Sequence, residues 1–501
     1  MNRTIICLTV VISLTVVGYL IYHKVINATI DQPIIKKLPR ALNLNSKTII
    51  IIGSGLAGLT ASLTVAEQGH EVILLEKDMT IGGNSIKASS GINSSETLHQ
   101  KTMGIKDSHA ILEKDTLLSA GDQSNFLIHT LSKNSSKAIQ WLESYGIKMT
   151  DVFIMGGHTV PRTHKVLGYT LIKTLEKEIR AHPNIHLLLG ARFTDYIMGI
   201  NNKITGVIYN DNQRLFCNAV IVATGGFGAN HEMITKYRPD LLGTTWTTNT
   251  AGSIGDGIDI NKKLGASLMD MDKIQLHPTG FIDPKNPKSI SKILAPEILR
   301  GKGGLLFSTT GYRFCNELDR RDNIVNTMHQ TGSTVFFIIL TQIMINQIDN
   351  SNFYVEKGLL KKMENINELS HYMKVDKKII TEELKQYMKD SLYGTDVHGK
   401  NTFPNTPINL TGIFYIGIVS PVLHYCMGGL KIDGKARVID VSNNPLPYIF
   451  AAGEVTGGIH RNNRLGGNSL LDCVVFGRIA GLSAVKYGSD KNVIMDIKKN
   501  Y

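Results

Sequence analysis

Residues 457–471 read GGIHRNNRLGGNSLL, which places two arginines, a histidine and two glycine pairs within fifteen positions. Fixed cations beside a backbone freed by glycine can grip an anion, and the planar arginine fork suits a carboxylate or phosphate. A second concentration of this kind lies about 400 residues upstream, where GSGLAG sets Gly53, Gly55 and Gly58 as G-x-G-x-x-G. That spacing points to the phosphates of a dinucleotide: Gly53 permits the tight turn, Gly55 lets a pyrophosphate approach backbone N–H groups, and Gly58 allows close helix–strand packing.

The elements needed to position these residues are legible around them. TIIII at 48–52 reads as a strand, Leu56 and Ala57 open a helical run with Leu59 and Leu63 that ends at Gly69, and EVILLEK reads as a second strand. Glu76 closes that strand about twenty residues after the glycines, where it can accept hydrogen bonds from an adenosine ribose, with Lys77 beside it. The loop that follows, IGGNSIKASSGIN, is rich in glycine and small hydroxyl residues, and Gly83, Asn84, Ser85, Ser89, Ser90 and Gly91 can lie against a flat, bulky ring system. This points to FAD.

Two later apolar strands also break into glycine: AVIVATGGFGAN, with Thr224, Gly225 and Gly226, and PYIFAAGEVTGG, with Glu454 at the strand end. Asp256 of SIGDGIDI completes the cofactor set on this side. In RLGGNSLL, Asn468, Ser469 and Leu470 start a helix whose first amides can face the isoalloxazine and offset negative charge on the reduced ring. Segments far apart in sequence therefore contribute to one FAD domain.

With 42% hydrophobic and 19% charged residues the chain is an ordinary globular protein, and its 501 residues suffice for two or three cores. The net charge of +12 suits nucleic acid, an anionic membrane or an acidic small molecule alike, but no run of five basic residues favours nucleic acid. Cys7, Cys217, Cys315, Cys426 and Cys473 lie too far apart for zinc, haem or iron–sulfur spacing, so no metal site is expected and electrons must come from outside.

Residues 4–22, TIICLTVVISLTVVGYLIY, carry no charge and are long enough to cross a bilayer. The apolar core is longer than that of a cleaved signal and lacks a small-x-small exit, so an uncleaved signal anchor is expected. Arg3 faces His23, Lys24, Lys36, Lys37 and Arg40 across it, which leans toward a cytosolic body. Residues 25–46, with Pro33 and Pro39, read as a linker. Asn-x-Ser/Thr triplets occur at Asn27, Asn93, Asn134 and Asn409.

The ordered motifs GSGLAG, GGNSIKASSGIN, QLHPTGF, EILRGKGG, NELDRRD, HYCMGG, AAGEVTGG and NRLGGNSLLDCVVFGR resemble the FAD-dependent fumarate reductase/succinate dehydrogenase flavoprotein family. The likeness runs from about 47 to 488 and is nearest to the soluble, single-chain, yeast-type fumarate reductases. It implies an α/β, Rossmann-like FAD-binding domain with an inserted α+β capping domain, behind an N-terminal transmembrane or signal-anchor helix. The boundaries are then 1–24 for the anchor, 47–271 and 424–490 for the FAD domain, 272–423 for the cap and 491–501 for a tail. Amphipathic runs such as NELSHYMKVDKKIITEELKQYMKDSL suit helices of the cap, and proline and glycine at 278–287 and 404–412 suit hinges. A chain of this kind is expected at the endoplasmic reticulum or mitochondrial membrane.

The resemblance also implies roles. Fumarate would receive hydride from flavin N5 and a proton from Arg321, with Glu297 and Arg300 as relay. Arg464 and His424 would bind one carboxylate and His277 the other. Arginine is normally protonated throughout, but an incipient carbanion is a far stronger base than water, so neutral guanidine need exist only fleetingly. The implied donor is reduced free flavin or a reductase.

Three departures stand out. Pro296 replaces a threonine that would donate to a carboxylate, a loss of about 1 kcal/mol. Asn84 stands where the respiratory branch attaches FAD to histidine, which implies noncovalent flavin. Arg461 replaces a small residue, and its cation can alter substrate access. His158, Arg162 and His164 of GGHTVPRTH fit either a flavin-proximal segment or a polar surface loop. Two alternative functions remain open: reduction of another activated alkene, such as a 3-ketosteroid or urocanate, and a non-catalytic, membrane-anchored redox flavoprotein.

Overall fold

The computed structural model describes residues 47–149, 151–199, 203–241 and 246–488. The expected anchor at 4–22, the linker and the tail lie outside the described residues.

The apolar runs around the glycine motifs assemble into a six-stranded sheet in the order Arg437–Ile439, Pro445–Ala451, Ala219–Val222, Thr48–Ile52, Glu71–Glu76 and Ile185–Leu189. All pairings are parallel except that of Arg437–Ile439 with Pro445–Ala451. Thr48–Ile52 is buried along its whole length, which explains a sequence of continuous isoleucines in place of alternation. The helices Leu56–Glu67 and Asn468–Gly488 cross closely on this sheet. Their approach needs Gly477 and Gly481, where an added Cβ would meet Thr60 and Thr64 side chains at 3.1 Å. Among the described residues Asn468–Gly488 has the length and apolarity of a membrane span, but it is largely buried and serves as a core helix.

A second sheet of five strands runs Ile274–Phe281, Phe414–Cys426, Phe336–Thr341 and Leu305–Phe307, with Lys361–Met363 also paired to Phe414–Cys426. It is antiparallel, and alternate residues feed two cores. Leu306, Ile338 and Leu340 belong to one cluster with Leu299 and Met328, whereas Leu305, Phe307 and Ile339 join Leu384 and Tyr387 in the other. The amphipathic run near 370 forms the helices Ile366–Met373 and Lys377–Tyr393. Residues 278–281, expected in a hinge, belong instead to a fully buried strand. Register shifts between His277 and Gly280 accommodate Pro278 there.

Candidate active site

The parallel strands end at a cavity of about 520 Å³. Its glycine cradle fits the pyrophosphate of a dinucleotide. Gly53 has φ +99°, and a Cβ there would overlap the Ala223 carbonyl, while one on Gly58 would overlap the Gly53 carbonyl. Gly55 caps the helix Leu56–Glu67 without a side-chain hydrogen bond, and Ser85 Oγ accepts from the Leu56 N–H at 3.1 Å. Oε2 of Glu76 accepts from the N–H and Oγ of Ser54 at 2.9 and 2.6 Å, which orients the carboxylate at the strand end.

Of the residues assigned to the cofactor from sequence, Gly53, Gly55, Leu56, Ala57, Glu76, Lys77, Gly83, Asn84, Ser85, Ser89, Ser90, Gly91, Thr224, Gly225, Asp256, Glu454, Ser469 and Leu470 line this cavity. Gly58, Gly226 and Asn468 lie behind the lining. Gly226 backs Glu454, where a Cβ would stand 2.7 Å from Oε1, and Asn468 Oδ1 accepts from Asn93 Nδ2 at 2.7 Å. Asp256 bridges Lys77 and Arg192 at 2.6 and 2.9 Å. Arg192, which no sequence motif singled out, also lines the cavity, as do Lys87 and Ser253, which lie within quoted motifs but were given no role. Asn84 spends its amide on Asn249, Ser253 and the Thr250 N–H, so it acts as a brace between the two walls.

Burial pushes the Glu454 carboxyl up to about 7, although its Oε1 accepts from the Cys426 N–H. The glycines, the oriented Glu76 carboxylate and the backbone donors together fit FAD, which they would hold along the strand ends.

At the other end of the cavity two guanidinium groups converge. Arg321, the first residue of the helix Arg321–Gln330, donates through Nη1 to Gln275 Oε1 at 2.9 Å, and Arg464 donates through Nη2 to the same oxygen at 3.1 Å. Arg321 also donates to Glu297 Oε2 through Nη2 and Nε at 2.7 and 3.0 Å. Arg464 stacks over the Tyr425 ring at 4.3 Å. Burial and the nearby Arg321 push its guanidinium down to about 10. Sequence reading missed Gln275, although it lies in the quoted QLHPTGF, because neutral amides carry no signal of their own.

Both assigned histidines are held neutral, chiefly by burial and then by Arg321. Their rings meet edge to face at 5.1 Å. His424 Nδ1 pairs with Thr248 Oγ1 at 2.8 Å, and Nε2 of His277 is buried without a partner among the described residues. Arg464, Arg321 and His424 line the cavity; His277, Glu297 and Arg300 stand behind them. Arg300 is fully buried and donates to the Glu317 carbonyl at 2.6 Å. Pro296 heads the helix Glu297–Gly301 and brings no side-chain donor.

Arg461 does not line the cavity. It turns to Asp122 at 2.9 Å, so its cation is occupied away from the Arg321 and Arg464 end. His158, Arg162 and His164 are buried, which removes the surface-loop reading. Asn93 is fully buried too and cannot be a glycan acceptor in the folded chain. The described cysteines are all free.

This fold and cradle define an FAD-dependent oxidoreductase. The sequence model for the FAD binding domain matches residues 48–470. A fumarate reductase of Schizosaccharomyces pombe is 38% identical over 461 residues, covering 88% of this chain and 90% of that protein. Fumarate reductase 1 of Saccharomyces cerevisiae is 38% identical over 467 residues, covering 87% and 98%. Among solved structures, the open conformation of a flavocytochrome c3 fumarate reductase superposes with TM-score 0.73 at 31% identity, covering 89% of this chain and 79% of that one. The chain belongs to the fumarate reductase family of FAD-binding flavoproteins.

Proposed function

We propose that this protein reduces fumarate to succinate, taking electrons from reduced free flavin or another external donor. The observation that carries the reading is the convergence of Arg321 and Arg464 on one oxygen at the end of an FAD cradle. A dianion needs fixed positive charge there, and a neutral alkene would leave Arg464, which has no ion-pair partner among the described residues, uncompensated, since Glu297 already pairs with Arg321.

Residues 47–271 and 424–490 form the FAD domain and 272–423 the cap in this reading. Arg464 and His424 hold one carboxylate and His277, through its unpartnered Nε2, the other. Bound FAD, when reduced, supplies hydride from N5 to one alkene carbon. Arg321 delivers a proton to the other carbon, so hydride and proton together bring two electrons and two protons, and the dianion leaves as succinate. Glu297, bonded to Arg321 through Oε2, returns the proton, and Arg300, whose Nε and Nη2 have no hydrogen-bond partner among the described residues, supplies it in turn. The amide of Gln275 keeps the two cations at a fixed spacing while the substrate lies between them. Neutral histidines donate hydrogen bonds without adding a further charge to an already cationic pocket. FAD is held noncovalently, and residues 4–22 anchor the body to the endoplasmic reticulum or mitochondrial membrane.

Anaerobic turnover of fumarate with reduced FMN tests the reading. Oxidation of FMN strictly dependent on fumarate, and lost in Arg321→Ala, is the expected result; a protein inert to fumarate overturns it.

A further inference from the structure

The segment 155–162 has no part in the mechanism above, yet it touches both ends of it. The Gly156 N–H donates to Glu297 Oε1 at 3.0 Å, while the other carboxylate oxygen takes both hydrogen bonds from Arg321. A carboxylate turns readily about its last torsion, which is broad and shallow. Two acceptors engaged from opposite sides leave it one orientation. Gly156 is required by space, not by backbone angle, because its φ is not positive. A Cβ there would stand 2.9 Å from Glu297 Oε1 and 3.1 Å from the carbonyl oxygens of Leu318 and Asp319.

The rest of the segment is bolted down. Arg162 is fully buried and grips Asp107 through Nε and Nη2 at 3.1 and 3.0 Å, and Asp115 through Nη1 at 2.6 Å. Asp115 also accepts from the Thr159 N–H at 2.9 Å. His158 Nδ1 faces the Arg162 Nη1 donor at 3.5 Å, and the amide of Asn93, 3.3 Å from Nε2, already donates to Gly466 and Asn468, so Nε2 carries the proton and donates to the Gly466 carbonyl at 3.2 Å. Burial, then Arg162, lowers this imidazole to about 4, so it stays neutral. Gly466 in turn sits between Met155 and Arg321, with no room for a Cβ.

We propose that residues 155–162 are a positioning strap for proton delivery, in which the backbone amide of Gly156 sets the orientation of Glu297 so that Oε2 faces Arg321. The strap also ties Glu297 to the loop that carries Arg464, through His158 and the Gly466 carbonyl. Displacing Gly156 alone turns the carboxylate away from the proton donor and leaves the carboxylate-binding groups in place. This inference rests on the fumarate reductase reading.

The test is a double-mutant cycle of Gly156→Ala and Glu297→Asp in the full-length holoenzyme, assayed anaerobically with reduced FMN and fumarate. Gly156→Ala should lower kcat by about ten- to a hundredfold with KM for fumarate nearly unchanged, and raise the solvent deuterium isotope effect on kcat. The shorter aspartate withdraws from the added methyl, so the double variant should be no slower than Glu297→Asp alone. A wild-type kcat in Gly156→Ala, or losses that multiply, would overturn the proposal. Should Gly156→Ala fail to accumulate, His158→Gln and His158→Leu replace it: glutamine restores the donor to Gly466 and should keep kcat, and leucine should reproduce the loss and the isotope effect. Equal activity in the two rejects the strap. Failure of the underlying reading is a separate outcome, in which the wild-type holoenzyme does not turn over fumarate at all.

Discussion

Arg321 and Arg464, 143 residues apart in sequence, meet on a single atom, Oε1 of Gln275, at 2.9 and 3.1 Å. Two cations of like sign are held together by one amide oxygen, with Glu297 supplying the negative charge on the Arg321 side. The remaining deficit of negative charge is what a dicarboxylate would fill.

Replacing Arg321 by alanine or lysine should lower kcat by roughly 10² to 10⁴, the usual share of a positioned general acid, with a much smaller change in KM. Lysine is not a substitute, since it cannot reach Gln275 and Glu297 through separate nitrogens of one plane. Steady-state kinetics with reduced FMN will check this.

Arg464→Lys should act in the opposite sense. It loses the second carboxylate contact and the stack on Tyr425, so KM for fumarate should rise by roughly tenfold or more, and inhibition by malonate should weaken in parallel. A fall in kcat with unchanged KM would contradict the clamp.

Stability should fall on acidification. Burial lowers His158 and His164 to about 4 in the fold, from the ordinary histidine value of 6.5. Below 6.5 the unfolded chain takes up protons that the folded chain refuses until about 4, so stability is full above 6.5 and is lost as pH falls through this window. Each such group contributes up to about 1.4 kcal/mol per pH unit. Urea unfolding of His164→Gln between these pH values should show a shallower pH slope than wild type.

The flavin should come free on acid precipitation. Asn84 offers no imidazole for attachment and its amide is committed to Asn249, Ser253 and Thr250. The yellow absorbance should therefore remain in the supernatant, and colour in the pellet would refute noncovalent binding.

The nucleotide half of this fold was legible because its logic is local: turn, helix start and ribose acid lie within about twenty-five residues, and each demands a particular side chain or its absence. The clamp residues were placed through their motifs, since a lone arginine or histidine carries no long-range information. What escaped was whatever depends on pairing across the chain. Gln275 is neutral, Gly156 acts through its backbone, and the contact of Gly156 with Glu297 joins residues 141 positions apart. Arg461 was misjudged because its partner, Asp122, lies 339 residues away and turns it aside. Pro278 was read as a hinge because proline disfavours central strands, and the compensating bulge cannot be seen in one dimension.

The strand order of the first sheet also bears on how the chain is made. Pro445–Ala451 completes the sheet beside Ala219–Val222, and the closing helix does not begin until Asn468. On a ribosome, most of the polypeptide must be out of the exit tunnel before the cradle has its last wall. Flavin therefore joins a nearly finished protein, and cells short of riboflavin should accumulate full-length, protease-sensitive apoprotein in place of truncated fragments.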